Sequence, residues 1–412
     1  MKSTRFSLLA LAALLAALLI TSCNNSFGVF DSVRKDVAQS TSSDFKQTTV
    51  VNFSQFSSYY FAVMSAVYSR PVGGGSWRSV SLPGIGTAYS CTGIASDGSA
   101  IYISATSNDT TKPTSNIYKS VDGTSWTPYG TSGIPLVVSG DEYDQIDGIW
   151  LANGRLYAQM QYFKTTGTTA TPYTGYTMYY DSGSGSFLAS TAVLPSSTSA
   201  TSDNPAPFMG VIYSGGDYYC AKGSTIYANT SPDFGSGTAL LPLTASAQVL
   251  GMKASLATSG ELLAWTSSKI YAWAPGGSLN SVSAPSLSTE NVISDLQEVP
   301  VSGGYHLLVG TGTGDVSYTA NGYWESNNTS FTDYPSYSGY VAGSSGTVAV
   351  SGNNSSFDTL FASKPVTKFY YDPAASRLFG CIAASGLTTS SYGLVSTYNT
   401  SGSWNPDGWS AE

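Results

Sequence analysis

A short unit recurs along this chain and limits what it can fold into more than any other feature of the sequence. Each copy is a strand-like stretch, a second stretch holding an aliphatic–aromatic pair, a polar turn of Gly, Ser, Asp or Asn, and a large apolar residue that closes it. The pairs are Ile117-Tyr118, Met178-Tyr179, Ile226-Tyr227 and Ile270-Tyr271; the closing residues are Trp77, Trp126, Phe187, Phe234, Leu279, Phe331 and Trp404. Most intervals are about 45 to 60 residues, the size of one sheet in a radially repeated array. The interval from Phe331 to Trp404 has room for a further, reduced unit around Gly346-Thr-Val-Ala-Val-Ser-Gly and Asp358-Thr-Leu-Phe-Ala-Ser. Upstream pairs give the same count: Tyr59-Tyr60, Ile101-Tyr102, Leu156-Tyr157, Tyr218-Tyr219, Leu262-Leu263, His306-Leu307, Val348-Ala349 and Leu378-Phe379.

A four-stranded sheet cannot bury both of its faces alone. Stacking such sheets about an axis buries them and leaves only short edges exposed. The expected body, residues 48–412, is therefore an all-β, seven- or eight-bladed β-propeller of four-stranded antiparallel blades. Closure must tie the two ends together, and the Trp404–Glu412 tail with Trp409 is placed to add a last strand. Composition agrees: 29 Tyr suit pleated strands and 43 Gly suit the turns between them.

The sharpest motif is Ser120-Val-Asp122-Gly123-Thr-Ser-Trp126. An Asp can accept backbone N–H groups across a tight turn, Gly supplies positive φ, and Trp fills the space between sheets. The motif resembles the Asp-box of sialidase-like, BNR-type propeller repeats, although it is one residue shorter than their pattern. Weaker copies run from Asp181 to Phe187, Ser231 to Phe234 and Asn399 to Trp404. The resemblance implies a structural turn between third and fourth strands and carries no catalysis with it.

At the other end of the chain, Lys2 and Arg5 precede thirteen uninterrupted apolar residues, Leu8 to Ile20, followed by Thr21-Ser22-Cys23. That run is short for a membrane span, which takes roughly 18 or more apolar residues, and it has the parts of a secretion signal. It resembles the lipobox of bacterial lipoproteins, with Ile20 in place of the commoner Leu. The resemblance implies a signal peptide over residues 1–22 and lipidation of Cys23. Residues 23–47, rich in Ser, Asn and Asp, then form a flexible tether. The expected location is the bacterial cell envelope, the chain anchored to the outer membrane and facing the periplasm or the surface.

The remaining chemistry is sparse. A sialidase-like active site would need an arginine cluster, and beyond the signal the chain has Arg34, Arg70, Arg78, Arg155 and Arg377, the first of them in the tether. Tyr68-Ser-Arg70-Pro71 has its Arg and neighbour in the wrong order for such an enzyme. One histidine, His306, excludes multi-histidine metal sites and His-dependent triads; its strand-like setting reads as packing. Glu142, Glu261, Glu290, Glu298 and Glu325 could in principle supply a glycosidase pair, and nothing in their spacing selects one. Asp141, Asp144 and Asp147 crowd one stretch that reads as a solvated acidic loop, with Ca2+ as its functional alternative. No other cofactor is implied. Cys91, Cys220 and Cys381 sit in apolar stretches without metal-ligand spacing and read as buried thiols.

Tyrosines in polar segments are the better lead. Tyr334, Tyr337 and Tyr340, with Tyr162, Tyr173 and Tyr176, lie among Gly, Ser, Thr and Pro, where they are not obliged to be core. Tyrosine offers rigid contact area and a hydroxyl for sugar or backbone. Inter-sheet packing is the competing reading. The formal charge of −8 falls to −10 once Lys2 and Arg5 leave with the signal, which does not favour nucleic acid. The expected function is a lipid-anchored, non-enzymatic module that binds a protein or glycan partner through these aromatics. A glycan-active enzyme using carboxylates and an envelope-assembly scaffold are the alternatives.

Overall fold

The computed structural model describes residues 45–412 apart from 87, 108–114, 130–141, 167–168, 190–207, 235–237, 243–247, 275–279, 283, 285–286, 288–290, 314–321, 326–359, 362–363, 385–390, 401–402 and 405–408. Every regular element it describes is a strand, and consecutive strands pair antiparallel in sheets that follow chain order. Sheet 1 is β1 (Asn52–Phe56), β2 (Tyr59–Val63), β3 (Val67–Pro71) and β4 (Arg78–Ser79). Sheet 2 is β5 (Tyr89–Ser96), β6 (Ile101–Ser107), β7 (Ser115–Ser120) and β8 (Thr127–Pro128). Sheet 3 is β9 (Glu142–Ala152), β10 (Arg155–Thr166), β11 (Thr169–Asp181) and β12 (Ser186–Ala189). Sheet 4 is β13 (Phe208–Ser214), β14 (Asp217–Lys222), β15 (Thr225–Asn229) and β16 (Thr238–Pro242). Sheet 5 is β17 (Gly251–Ala254), β18 (Leu262–Trp265), β19 (Ile270–Trp273) and β20 (Asn280–Val282). Sheet 6 shows β21 (Asn291–Val301), β22 (Gly304–Thr313) and β23 (Tyr323–Glu325). Sheet 7 has β24 (Val366–Asp372), β25 (Arg377–Ile382), β26 (Leu394–Thr400), β27 (Ser403–Trp404) and β28 (Ser410–Ala411).

The aliphatic–aromatic pairs lie on the third strands β7, β11, β15 and β19, one strand later than the repeat suggested. Seven of the eight upstream pairs lie on second strands, and Val348-Ala349 is outside the described residues. Second strands are buried on both faces because successive side chains point to opposite sides. Tyr60 and Ala62 thus enter the core shared with sheet 7, while Phe61 and Val63 enter the core shared with sheet 2. Phe379 and Cys381 enter the seam with sheet 1, whereas Leu378 and Ile382 enter the seam with sheet 6.

Among the described residues, seven such hydrophobic seams join consecutive sheets, and one of them joins the last described sheet to the first. First strands touch in the same cycle: β1 with β5, then β9, β13, β17, β21, β24 and back to β1. The closing aromatics fill these seams, Trp77 between sheets 7 and 1, Trp126 between 1 and 2, Phe187 between 2 and 3, and Phe234 between 3 and 4. Leu279 and Phe331 lie outside the described residues.

Both ends of the described chain meet at sheet 7. The tail adds β28 beside β26, with Trp409 Nε1 donating to Tyr323 Oη (3.0 Å). Phe45 is fully buried, and its carbonyl accepts from Gly393 N (2.8 Å), so the packed body includes Phe45. Gly393 is needed there, because a Cβ would collide with the Thr48 carbonyl. Glu412 forms a buried ion cluster with Arg70 of β3 and Arg377 of β25, joining sheet 1 to sheet 7 by charge as well as by packing.

Candidate functional site

Turns after first and third strands emerge on one end of the antiparallel sheets, and the Asp-box-like motif is one of them. It joins β7 to β8. Asp122 Oδ1 accepts from Thr124 N and Ser125 N, each at 2.7 Å, and from Ser120 Oγ at 3.0 Å. Ser120 Oγ in turn accepts from Gly123 N (2.8 Å), and Gly123 holds φ +81°. The two amides keep the Asp122 carboxyl well below the usual carboxylate range. Trp126 packs edge-on to Phe61 with centroids 6.1 Å apart. Related geometry follows β11, where Asp181 accepts from Ser184 N (2.9 Å), and β15, where Ser231 Oγ donates to Asp233 Oδ1 (2.7 Å). These contacts lie within one turn each and serve its shape.

Other sequence-predicted residues fall differently. Cys23, Tyr334, Tyr337, Tyr340 and Asp141 lie outside the described residues. Asp144 and Asp147 are on strand β9 rather than in a loop; Asp144 pairs with Tyr162 across to β10. Tyr173 and Tyr176 are likewise on strand β11 rather than in a connection, with Tyr176 opposite Met160. Cross-strand pairing of long, Thr- and Tyr-rich segments outweighs their Gly and Pro content. His306 Nδ1 meets Glu325 Oε1 at 2.6 Å between β22 and β23. The three cysteines are free thiols, Cys220 and Cys381 buried and Cys91 partly so.

The same end carries a concavity of about 450 Å³ that no sequence motif announced. Its wall is made by residues of five first strands: Leu151 of β9, Ile212 and Tyr213 of β13, Met252 and Lys253 of β17, Gln297 of β21, and Tyr370 and Tyr371 of β24. Leu256, in the turn after β17, forms its rim and is 52% exposed; Tyr213 is 37% exposed. No carboxylate is among the described lining residues. Lys253 is the charged group on the wall, and its Nζ donates to Asp295 Oδ2 (2.9 Å) and Leu296 O (2.6 Å). Asp295 also accepts from Phe369 N (2.7 Å), which fixes it between sheets 6 and 7.

Neighbouring Glu298 holds the rim in shape. It accepts from Ser255 Oγ (2.9 Å), Leu256 N and Ala257 N (3.0 Å), which bends the β17–β18 turn over β21. Burial pushes its carboxyl up against the pull of those donors. Lys368 of β24 lies close enough to Lys253 and Asp295 to feel both charges, and burial pulls its ammonium down. Lys253, Asp295 and Lys368 are more than 40 residues apart in sequence, so no local pattern could have grouped them.

No family model matches this sequence, and no curated protein matches it. Solved structures do resemble it in fold. The extracellular domain of a hybrid two component system from B. thetaiotaomicron superposes with a TM-score of 0.52 at 13% identity over 88% of this chain. This chain spans 39% of that protein's length. YCF48, in a structure described as bound to D1 peptide, gives a TM-score of 0.50 at 14% identity, covering 86% of this chain and 94% of the other. The chain is thus an all-β protein of propeller type.

Proposed function

We propose that this chain is a lipid-anchored binding module of the bacterial cell envelope: a seven-bladed propeller that holds a protein or glycan partner on its turn-bearing end. Seven seams, the last returning to the first sheet, support the lower of the two blade counts. Anchoring rests on the lipobox resemblance at Cys23. The observation that carries the binding reading is the axial concavity, whose wall is apolar and aromatic with exposed Tyr213 and Leu256 at its edge. Exposed apolar groups gathered in a concave site favour capture of a ligand over solvation. Carboxylates disposed for glycoside chemistry would have to face each other about 5 to 10 Å apart. Asp295 and Glu298, the acids described beside the cavity, are each engaged by donors.

Two measurements test this reading. Cys23→Ala is expected to abolish partition of the protein into detergent; unchanged partition would refute the anchor. For binding, the wild type and Tyr213→Ser/Leu256→Ser are screened side by side on glycan and peptide arrays. The variant should lose the wild type's binders while melting within a few degrees of it, since both side chains are substantially exposed. Binders retained by the variant would place recognition elsewhere.

A further inference from the structure

Lys253 has donors to spare. An ammonium has three N–H bonds, and two are taken by Asp295 Oδ2 and Leu296 O. The side chain is 27% exposed and lines the cavity, so the third N–H is available to whatever enters. Asp295 shares its charge with Phe369 N and lies under the wall at 5% exposure. Lys368 lies in the same neighbourhood, where burial disfavours its charged form. Lys253 is the charged group that the wall itself presents, within a chain of formal charge −8. The surrounding surface, from Tyr213, Met252, Leu256 and Tyr371, is apolar or aromatic. About 450 Å³ is a volume that small ligands fill.

We propose that this cavity binds a carboxylate carried on an aromatic or branched apolar body. The carboxylate accepts the third N–H of Lys253, and the body lies against Tyr213, Met252 and Leu256. A neutral apolar ligand would cover that N–H without replacing its water, and a cation would meet an ammonium that has no lone pair to offer it. A phosphate dianion carries more charge and more acceptors than one spare donor matches. The proposal rests on the reading of this end as the binding face and specifies the chemistry of what it takes. Such a carboxylate can come from a free aromatic acid or from the C-terminal residue of a peptide.

The test uses the full-length protein and four probes: 4-phenylbutyrate, 4-phenylbutyramide, Ala-Ala-Phe with a free carboxylate, and Ala-Ala-Phe amide, each followed by calorimetric titration. At least one free acid should bind about tenfold or more tightly than its amide, and which acid does so identifies the source. Lys253→Arg should keep most of that preference and Lys253→Met should erase it. Because Lys253→Met strips Asp295 of its partner, Lys253→Met/Asp295→Asn is run beside it; the amide oxygen can still accept from Phe369 N, so a normal melting curve with the preference lost supports the proposal. Equal binding of acid and amide, no binding of any probe, or a preference that survives in the folded double variant each overturns it. If the array binders disappear in Tyr213→Ser/Leu256→Ser while no acid preference exists, the ligand chemistry is wrong and the binding face stands; if neither is seen, both fall.

Discussion

Glu412→Ala would leave two buried guanidiniums without the carboxylate they share. Glu412 is 3% exposed and contacts Arg70, 2% exposed on β3, and Arg377 on β25, with Ser396 Oγ as a further partner. Arg70 depends on it most: its Nε and Nη2 are buried without hydrogen-bond partners among the described residues, and its other support there is the face of Trp77 at 4.9 Å and of Tyr60 at 5.9 Å. Removing one member of a buried ion pair costs about 3 to 5 kcal/mol, because the partner's charge stays desolvated. Here two like charges remain together, so the upper part of that range is expected. Urea unfolding followed by tryptophan fluorescence measures it, with exposed Arg78→Ala as a control expected within about 0.5 kcal/mol of the wild type. Replacing the whole cluster, Arg70→Met/Arg377→Met/Glu412→Leu, should recover much of the loss, since apolar groups of similar size remove the desolvation cost. An unfolding midpoint for Glu412→Ala equal to that of the wild type would refute the argument that this cluster holds sheet 7 to sheet 1.

Trp126→Ala should cost about 3 to 5 kcal/mol by opening the seam between sheets 1 and 2. Asp122→Ala should lower the melting temperature by less, since its bonds stay within one solvent-facing turn; unchanged melting in both variants would contradict the role given to that motif. Burial pushes the thiols of Cys91 and Cys381 up to about 12 and that of Cys220 in the same direction, so thiolate is scarce in the native protein at pH 8. Ellman's reagent should therefore react with these three only after denaturation, and fast native-state labelling would contradict their burial. Changing Tyr334, Tyr337 and Tyr340 together to Ser should weaken partner binding with little change in melting; a large drop in melting temperature would assign them to packing instead.

How far the fold was legible depends on where its information sits. The pairs at Tyr59-Tyr60, Ile101-Tyr102 and Leu378-Phe379 mark second strands because a strand buried on both faces must be apolar at consecutive positions. Turn chemistry is equally local: Asp122, Gly123 and Ser120 close a turn with their own neighbours, so the motif could be read one residue at a time. The tail's added strand was also foreseeable, because a ring must close on something. Against this, the acidic residues Asp144 and Asp147 and the segment around Tyr173 and Tyr176 read as loops by composition, yet they lie on β9 and β11. Pairing partners decide such segments, and partners are not visible in one strand's sequence.

Alternation of side chains and short-range turn bonds are properties of the chain itself, and from them the sequence determined an all-β body of repeated sheets with its seams in order. The tertiary structure decided what lies between distant units. Leu151, Tyr213, Lys253, Gln297 and Tyr371 come from five sheets and share one wall, and Arg70 meets Glu412 across nearly the whole chain. Neither grouping leaves a local signal, because closing the stack brings the ends of first strands together only after every sheet has taken its place.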